Sequence, residues 1–268
     1  MGVGSGFQVT NNAPVHYEAH VERFMAPFVR ALVEAVVRQG DTVLDVACGT
    51  GFATRAAAAA VGTSGRVTGS DLNAAMVVMA QSIPTPLTAD IDWHRASALD
   101  LPFGNGEFDT VICQQGLQFF PEPSAGLREM ARVCRPEGRI AATVWSAVED
   151  SPFLAAEFAI FGQYCDANPA EFLRTFISDG ERRIAGWFES AELSNIRIER
   201  VEATVSLPPP AIYIPQHARA LPWSGTFADL TERVRDEALA SADEALAQYR
   251  TSNGIDVPFV SYLATATV

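Results

Sequence analysis

The stretch VLDVACGTG at residues 43–51 decides the fold. Its first four positions hold three aliphatic residues, a composition typical of a strand that is covered on both faces. Gly49 and Gly51 follow, and glycine lets the backbone turn sharply and approach a ligand closely. We expect a helix to begin near Phe52, with its free amide groups directed into the turn, where an anionic group can dock. The stretch therefore predicts a strand, a ligand-binding turn and a helix.

Two familiar phosphate-binding motifs do not fit this turn. A dinucleotide fingerprint requires a third glycine at the position of Thr54, and a P-loop requires a lysine before Ser or Thr. Acidic residues stand here instead. Asp71 follows a second predicted strand at residues 66–70, about twenty residues after the last glycine, the separation at which a carboxylate meets ribose hydroxyls. Asp45 either contacts the ligand or holds the loop by accepting backbone hydrogen bonds, and the sequence leaves both interpretations open.

The segment that contains these residues reads as a succession of strands and helices. Short apolar runs near Val43 and Val67 and at residues 110–113 and 140–144 alternate with helical patterns. This alternation predicts a parallel sheet with helical connections. Because ligands of open α/β sheets bind outside the carboxyl ends of the strands, we expect the glycine and acidic residues to share one crevice.

The flanking segments are predicted to be mostly helical, with two further strands. The three prolines at 208–210 argue against an ordinary helix or a central strand at that point. The remaining predicted elements are helices at 15–37, 152–188 and 211–250 and strands at 196–207 and 257–266.

Four segments together resemble the class I S-adenosylmethionine (SAM)-dependent methyltransferases of the ubiquinone/menaquinone-biosynthesis type, which are methyltransferase type 11-like and also occur in natural-product pathways. The resemblance covers residues 41–145, with the motifs in the expected order and spacing. The segments are VLDVACGTG at 43–51, GRVTGSDLNAAM at 65–76, HRASALDLPFGNGEFDTVICQQGLQFFPEP at 94–123 and LREMARVCRPEGRIAATVW at 127–145.

The resemblance implies a Rossmann-like α/β fold, with a seven-stranded sheet that is mostly parallel, a last strand that is antiparallel, and helices on both faces. It further implies three parts: an N-terminal helical lid at 1–40, a SAM-binding core at 41–148, and a C-terminal part at 149–268 that completes the sheet and carries helical substrate-binding insertions. The cofactor would be SAM and its product S-adenosylhomocysteine.

The resemblance also assigns a set of cofactor-binding residues. Ala47 stands where the family has its first loop glycine, and Ser97 stands where an acidic or amide residue often meets the adenine amino group. Structural alternatives stay open: Asp71 would cap the next helix, Tyr17 would be a buried aromatic residue, and Gln114 with its neighbour would only order a loop. The implied set is Tyr17, Asp45, Ala47, Gly49, Gly51, Asp71, Leu72, Met76, Ser97, Ala98, Gln114 and Gln115.

Candidates for the acceptor side are aromatic residues and histidines. The aromatic candidates for an apolar substrate pocket are Phe119, Phe120, Trp145 and Trp223, with plain core packing as the alternative. The candidate general bases are His16, His20 and His217, with a surface histidine as the alternative in each case.

These residues predict transfer of a methyl group to O, N or C of a small, partly apolar metabolite. The alternatives are a SAM-binding enzyme that catalyses a cyclisation or rearrangement without methyl transfer, and a noncatalytic binding protein. No cluster of His, Cys, Asp or Glu has the spacing of metal ligands, so we expect no metal.

The charge and the cysteine content of the chain limit the kinds of partner and substrate that are expected. A net charge of −13 argues against nucleic-acid substrates, because nonspecific affinity for them depends on Lys and Arg. The four scattered cysteines form no C-x-x-C pair and are expected to be reduced core residues. With no apolar stretch of membrane-spanning length and no signal sequence, a cytoplasmic protein with a small-molecule substrate is expected. The oligomeric state stays open, a homodimer included.

Overall fold

A computed structural model of the chain describes residues 12–85, 89–165, 173–177, 179–222 and 224–268. The strands are β1 Thr42–Val46, β2 Arg66–Asp71, β3 Asp90–Arg95, β4 Phe108–Gln114, β5 Cys134–Trp145, β6 Ser194–Leu207 and β7 Ile255–Thr267. The helices are α1 Ala13–Val36, α2 Phe52–Val61, α3 Ala74–Ser82, α4 Pro123–Val133, α5 Pro152–Tyr164, α6 Gly180–Glu189, α7 Pro210–Ala218, α8 Ser224–Ala228 and α9 Glu232–Ala245. Short 3-10 turns lie at Gly62–Ser64, Leu117–Phe119, Val148–Asp150 and Ala247–Tyr249.

The strands form one seven-stranded sheet in the order β3-β2-β1-β4-β5-β7-β6. Strand β7 pairs antiparallel with both β5 and β6, whereas the pairs from β3 across to β5 are parallel. The predicted Rossmann-like sheet with an antiparallel last strand is therefore confirmed. From β1 the chain runs outward to β2 and β3, and it then crosses back to β4 on the other side of β1. At such a reversal of strand order a crevice opens at the carboxyl ends of the strands.

The central strands are covered on both faces, and successive residues contribute to two different hydrophobic clusters. Val43 belongs to the cluster with α1, α2, α5 and α7, whereas Leu44 belongs to the cluster with α4 and α6. The same alternation holds in β4, where Ile112 faces the first cluster and Val111 the second. The first cluster therefore joins helix α1 and helices α5 and α7 to the central strands, and the division into three parts stays a prediction.

Two local features differ from the sequence-based expectations. Strand β3 was not marked by an apolar run, because it is an edge strand whose side chains are partly or fully exposed. Helix α7 begins at Pro210, although the prolines argued against a helix. A proline is tolerated in the first turn of a helix, where its missing N–H would have no intrahelical partner.

None of the helices in the described ranges is both long enough and apolar enough to cross a membrane.

Candidate functional site

The turn after β1 has an unusual backbone that only small residues tolerate well. Ala47, Gly49 and Gly51 have φ angles of 57°, 56° and 94°, in the left-handed region. Ala47 thus adopts a left-handed conformation that glycine accommodates more easily. The turn is tied to the neighbouring strand, because the Cys48 amide donates to the Ser70 carbonyl at 3.0 Å. The two strand ends are therefore held together as one rigid rim.

Asp71 connects this turn to the next helix. Its Oδ2 accepts a hydrogen bond from the Gly49 amide at 2.8 Å, and its Oδ1 accepts one from the Asn73 amide at 2.7 Å. Asn73 is the residue that caps α3, since its side chain accepts from the Ala75 amide. Each carboxylate oxygen keeps a second lone pair, so Asp71 can still accept hydrogen bonds from ligand hydroxyls. Burial raises the pKa of Asp71, and the two amide bonds oppose that shift.

Asp45 lies directly beneath the same turn and is 0% exposed. Its Oδ2 accepts a hydrogen bond from the Thr54 hydroxyl at 2.6 Å, which ties β1 to α2. Its Oδ1 has no hydrogen-bond partner among the described residues. Burial, with a smaller contribution from the Asp71 charge, raises the pKa of Asp45 to about 7. One oxygen therefore holds the loop, and the other is a buried acceptor that awaits a donor or a positive charge.

The first cavity opens at this rim and spans about 870 Å³ when the solvent-filled space at its mouth is included. Ten of the residues implied by the resemblance line it, and Phe119 and Phe120 do so as well. The ten are Tyr17, Ala47, Gly49, Asp71, Leu72, Met76, Ser97, Ala98, Gln114 and Gln115. Residues that the sequence did not single out are Ala96, Leu99, Gly116 and Pro121.

The two loop glycines have different roles in this geometry. A Cβ on Gly49 would meet nothing within 4 Å, because it would point into open space at the cavity. A Cβ on Gly51 would approach the ring of Trp93 to 2.4 Å, so the missing side chain there makes room for Trp93. Gly51 is not among the described residues that line the cavity, and its missing side chain makes room for Trp93, so a cofactor contact at Gly51 stays a prediction.

Tyr17 brings helix α1 over the rim. Its ring stacks on Phe52 with centroids 5.8 Å apart, and burial, together with the nearby Asp71 charge, raises the pKa of its hydroxyl. Helix α1 is also fixed to α2 by the ion pair between Glu18 and Arg55, at 2.6 Å. The helix is thus anchored to the element that begins at the glycine turn.

A second cavity, of about 490 Å³, adjoins the first. Tyr17, Gln115 and Phe119 line both cavities, so these three residues form a shared wall. The other residues that line the second cavity are Val21, Phe24, Met25, Trp145, Leu154, Phe158, Phe176, His217 and Leu221. The predicted pocket residue Trp145 is among them, Phe120 lines only the first cavity, and Trp223 lies outside the described residues.

The three candidate histidines are placed differently. His217, on α7, lines the second cavity and is 3% exposed. His16 and His20, on α1, stack on each other at 6.1 Å and do not line either cavity among the described residues. Burial and the neighbouring His16 lower the pKa of His20. Of the three histidines, His217 is therefore the one that the described structure places at the second cavity.

Sequence reasoning missed the partner of His217. Both carboxylate oxygens of Glu157, on α5, lie close to His217 Nδ1, at 2.9 and 2.7 Å. Glu157 is 0% exposed. A signal existed, because this glutamate is the one charged residue in the otherwise apolar helix PFLAAEFAIFGQY. A buried charge of this kind requires a partner.

The residues of the first cavity fit SAM. The open space at Gly49 gives a ligand access to the turn, and Asp71 offers acceptors for ribose hydroxyls. Leu72, Met76 and Ala98 supply an apolar surface for a ring system. Asp45 does not line this cavity: it is fully buried beneath the turn, and its unpartnered Oδ1 would favour a cationic group above it only across the turn.

Known proteins agree with this geometry. The profile of a family described as "Methyltransferase domain" matches residues 43–138. An uncharacterized protein of Mycobacterium tuberculosis is 33% identical over 190 residues, which are 70% of this chain and 67% of that protein. The demethylmenaquinone methyltransferase of Staphylococcus aureus is 31% identical over 180 residues, 63% of this chain and 74% of that protein.

Among solved structures, the [4+2]-cyclase SpnF superposes with a TM-score of 0.53 at 20% identity, over 99% of this chain and 87% of that chain. At this identity the likeness concerns the fold alone. The sequence matches and the geometry of the turn together lead to one assignment: the chain belongs to the class I SAM-dependent methyltransferases of the ubiquinone/menaquinone-biosynthesis type, and SAM is its cofactor.

Proposed function

We propose that the protein transfers the methyl group of SAM to an O, N or C atom of a small, partly apolar metabolite, of the kind found in secondary metabolism. The observation that carries this proposal is the wall shared by the two cavities, formed by Tyr17, Gln115 and Phe119. A cofactor in the first cavity and an acceptor in the second would meet at this wall. Such an arrangement suits a reaction between two bound molecules.

The cofactor side of the proposal rests on two carboxylates, the half-buried Asp71 at the cavity and the fully buried Asp45 beneath the turn. Asp71 would bind the ribose hydroxyls, and Asp45 would stabilise a positive charge near its unpartnered oxygen. When bound, SAM supplies an electrophilic methyl group on a sulfonium. The chain itself then has to hold the acceptor atom in line with that methyl group and keep water out.

The acceptor side has the character needed for this task. Phe24, Trp145 and Phe158 are buried, and they surround a cavity with few polar groups. The rings are packed against the core, since Phe24 stacks on Phe259 at 5.0 Å. Rigid walls can hold a planar acceptor in one orientation, and orientation of two reactants contributes on the order of 7–11 kcal/mol to catalysis.

Gln115 is suited to set the boundary between the two ligands. Its φ angle is 52°, and its backbone amide donates to the Thr143 carbonyl at 3.0 Å. Its side-chain amide donates to the Ser261 hydroxyl at 2.8 Å. Fixed in this way, the side chain would help to align the acceptor without taking part in the chemistry.

Calorimetric titration with SAM and with S-adenosylhomocysteine, followed by a methyl-release assay on phenols, amines and quinone-like acceptors, tests the proposal. Binding together with methyl release is the expected result. Binding with conversion of a substrate but without consumption of SAM would favour a cyclisation or rearrangement. Absence of binding would overturn the use of the first cavity for the cofactor.

A further inference from the structure

The pair formed by His217 and Glu157 has a defined hydrogen-bond arrangement. The hydrogen bonds of His217 to described residues are both made at Nδ1, to the two oxygens of Glu157. An ionised carboxylate only accepts hydrogen bonds, so beside an ionised Glu157 the proton of the hydrogen bond belongs to Nδ1. In the neutral imidazole, Nε2 then keeps its lone pair. Because Nδ1 is turned to Glu157, Nε2 on the opposite side of the ring is the nitrogen left for the cavity that the ring lines.

The ring is held in place by aromatic neighbours. Phe24 packs edge-on at 5.3 Å, Phe153 edge-on at 5.8 Å, and Tyr213 stacks at 6.1 Å. A ring clamped on several sides loses little freedom when it meets a substrate, as a positioned base requires.

The other ionisable groups around the pair do not compete for this role. The Tyr213 hydroxyl donates to the backbone carbonyl of His20, and burial, together with the Glu157 charge, raises its pKa. His20 has a lowered pKa and lies outside the cavity lining. Arg23 and Arg219 are exposed at the surface. Within the described part of the second cavity, His217 is therefore the side chain suited to accept a proton.

We infer that His217 is the general base of the reaction, that Glu157 is its positioning residue, and that the acceptor is a planar, apolar compound with a phenolic or enolic hydroxyl, methylated at that oxygen. The inference rests on the proposed function and specifies its acceptor. A neutral hydroxyl is a weak nucleophile until its proton is removed, whereas a neutral amine attacks through its free lone pair. A buried base that is paired with a carboxylate is therefore needed for a hydroxyl acceptor and not for an amine.

In this step the hydroxyl proton passes to Nε2 of His217. The acceptor oxygen forms its bond to the methyl carbon as the carbon–sulfur bond breaks, and the electron pair of that bond goes to sulfur. The products are a methyl ether, the thioether S-adenosylhomocysteine and an imidazolium. Glu157 stabilises the imidazolium through its contact with Nδ1. The proton then returns to solvent.

The test uses naphthols that share one ring system and differ in acidity, from unsubstituted naphthol to nitronaphthols that are already ionised at pH 8. Wild type is compared with His217→Gln, Glu157→Gln and the control His94→Gln, which changes an exposed histidine on β3. For the unsubstituted naphthol, His217→Gln should lower kcat/KM by on the order of 10²–10⁴-fold, the usual contribution of a positioned base. For the ionised nitronaphthols the loss should be below about tenfold, because no proton has to be removed.

A second measurement does not depend on turnover. Nitrogen NMR of protein labelled at histidine should show His217 protonated at Nδ1 and free at Nε2 in wild type. The Glu157→Gln variant should lose this tautomer preference, and its rate loss should also grow as the naphthol becomes less acidic. His94→Gln should match wild type in both measurements.

The outcomes separate the two proposals. If His217→Gln lowered kcat/KM by the same factor for all naphthols, His217 would only line the cavity and would not be the base. An Nε2–H tautomer in wild type would also overturn the base assignment. Turnover of amines but of no hydroxyl compound, methylation at a ring carbon, or SAM binding with no turnover of any naphthol would overturn the acceptor class. Failure to bind SAM would instead overturn the proposed function.

Discussion

The two cavities share a wall, yet the chain builds them in different ways. The first is lined largely by turns and loops that directly follow β1, β2, β3 and β4, with left-handed φ angles and carboxylates bound to backbone amides. The second is lined by side chains from α1, β5, α5 and α7, most of them aromatic or aliphatic. Glu157 and His217, which are in contact beside the second cavity, are 60 positions apart in the chain.

The two cavities therefore differ in how far the local sequence can predict them. The cofactor side depends on backbone conformations that only a few residue types allow, so short sequence motifs are enough to predict it. The acceptor side depends on helices meeting in space, and many sequences can form such walls. Changes on one side should therefore leave the other side intact, except at the shared wall.

The largest effect is expected for Gly49→Val on the cofactor side. The new side chain would have a φ of 56° and would fill space at the cavity. We expect SAM affinity to fall by more than about 100-fold, about 2.7 kcal/mol or more. Calorimetry measures this, with Gly186→Ala in α6 as the control, because a Cβ there also meets nothing within 4 Å and the backbone is helical. Normal SAM binding by Gly49→Val would show that the cofactor does not approach this turn.

Asp71→Ala should weaken SAM binding by roughly 1.5–3 kcal/mol, the range for hydrogen bonds to a charged group. The same change removes the acceptor of the Gly49 and Asn73 amides, so the melting temperature has to be measured beside the affinity. Asp92→Ala, which removes an exposed carboxylate on β3, is the matched control. A folded Asp71→Ala protein with unchanged affinity would exclude a ribose contact at this residue.

On the acceptor side, Leu154→Ala should raise the KM for the acceptor and leave SAM affinity unchanged within about twofold. Loss of a few methylene contacts in an apolar pocket is worth about 1–3 kcal/mol. Leu127→Ala in α4 is the control, because it removes an equally buried leucine from the opposite face of the sheet. Both variants should lose about 2–5 kcal/mol of stability, but only Leu154→Ala should change KM. If the two variants alter KM equally, the second cavity does not hold the acceptor.

The part of the fold that local sequence could predict is the part governed by local physics. Central strands such as β1 and β4 are apolar runs, because both of their faces are covered. Helix α1 was predicted because its buried residues recur at helical spacing. Strand β3 was missed because it lies at the edge of the sheet and needs no apolar run.

The missed features of the site depend on contacts between distant residues. The space at Gly51 is filled by Trp93, which β3 places beside the turn and which the motif itself does not indicate. Glu157 was overlooked because nothing in its own helix indicates that α7 brings a histidine to it. The position of His217 in the second cavity likewise follows from the packing of α7 against α5 and not from any motif.

The carboxyl of Asp45 lies beneath the turn of the first cavity, and its ionisation makes the stability of the protein depend on pH. The variant Asp45→Asn tests this dependence. The pKa of Asp45 is raised to about 7 from 3.8, so between these values the folded protein holds a proton that the unfolded chain has lost. Stability therefore falls as pH rises through this window, by up to about 1.4 kcal/mol per pH unit. Asp45→Asn should be more stable than wild type at pH 8, and the advantage should shrink towards pH 4.

Thermal unfolding at several pH values checks this expectation. Glu18 also has a raised pKa, but both proteins contain it, so its contribution cancels in the difference. Asp71 interacts with Asp45, so the difference reports the pair of carboxyls rather than Asp45 alone. SAM is a cation and should raise the melting temperature of wild type more than that of the variant at pH 8. A stability difference that does not change with pH would mean that Asp45 does not ionise in this window.

The smallest effect is expected at the shared wall, from Ser261→Ala. The Ser261 hydroxyl accepts from Gln115 Nε2 at 2.8 Å and donates to the Val144 carbonyl at 2.7 Å, so its loss frees the Gln115 side chain. We expect SAM affinity and acceptor KM to weaken together, each by about 0.5–1.5 kcal/mol, the net value of one hydrogen bond. Combined with Leu154→Ala, the change in KM should depart from additivity, because both substitutions act on the same cavity. An effect on only one ligand would mean that Gln115 serves one cavity, and the boundary between cofactor and acceptor would then rest on Tyr17 and Phe119.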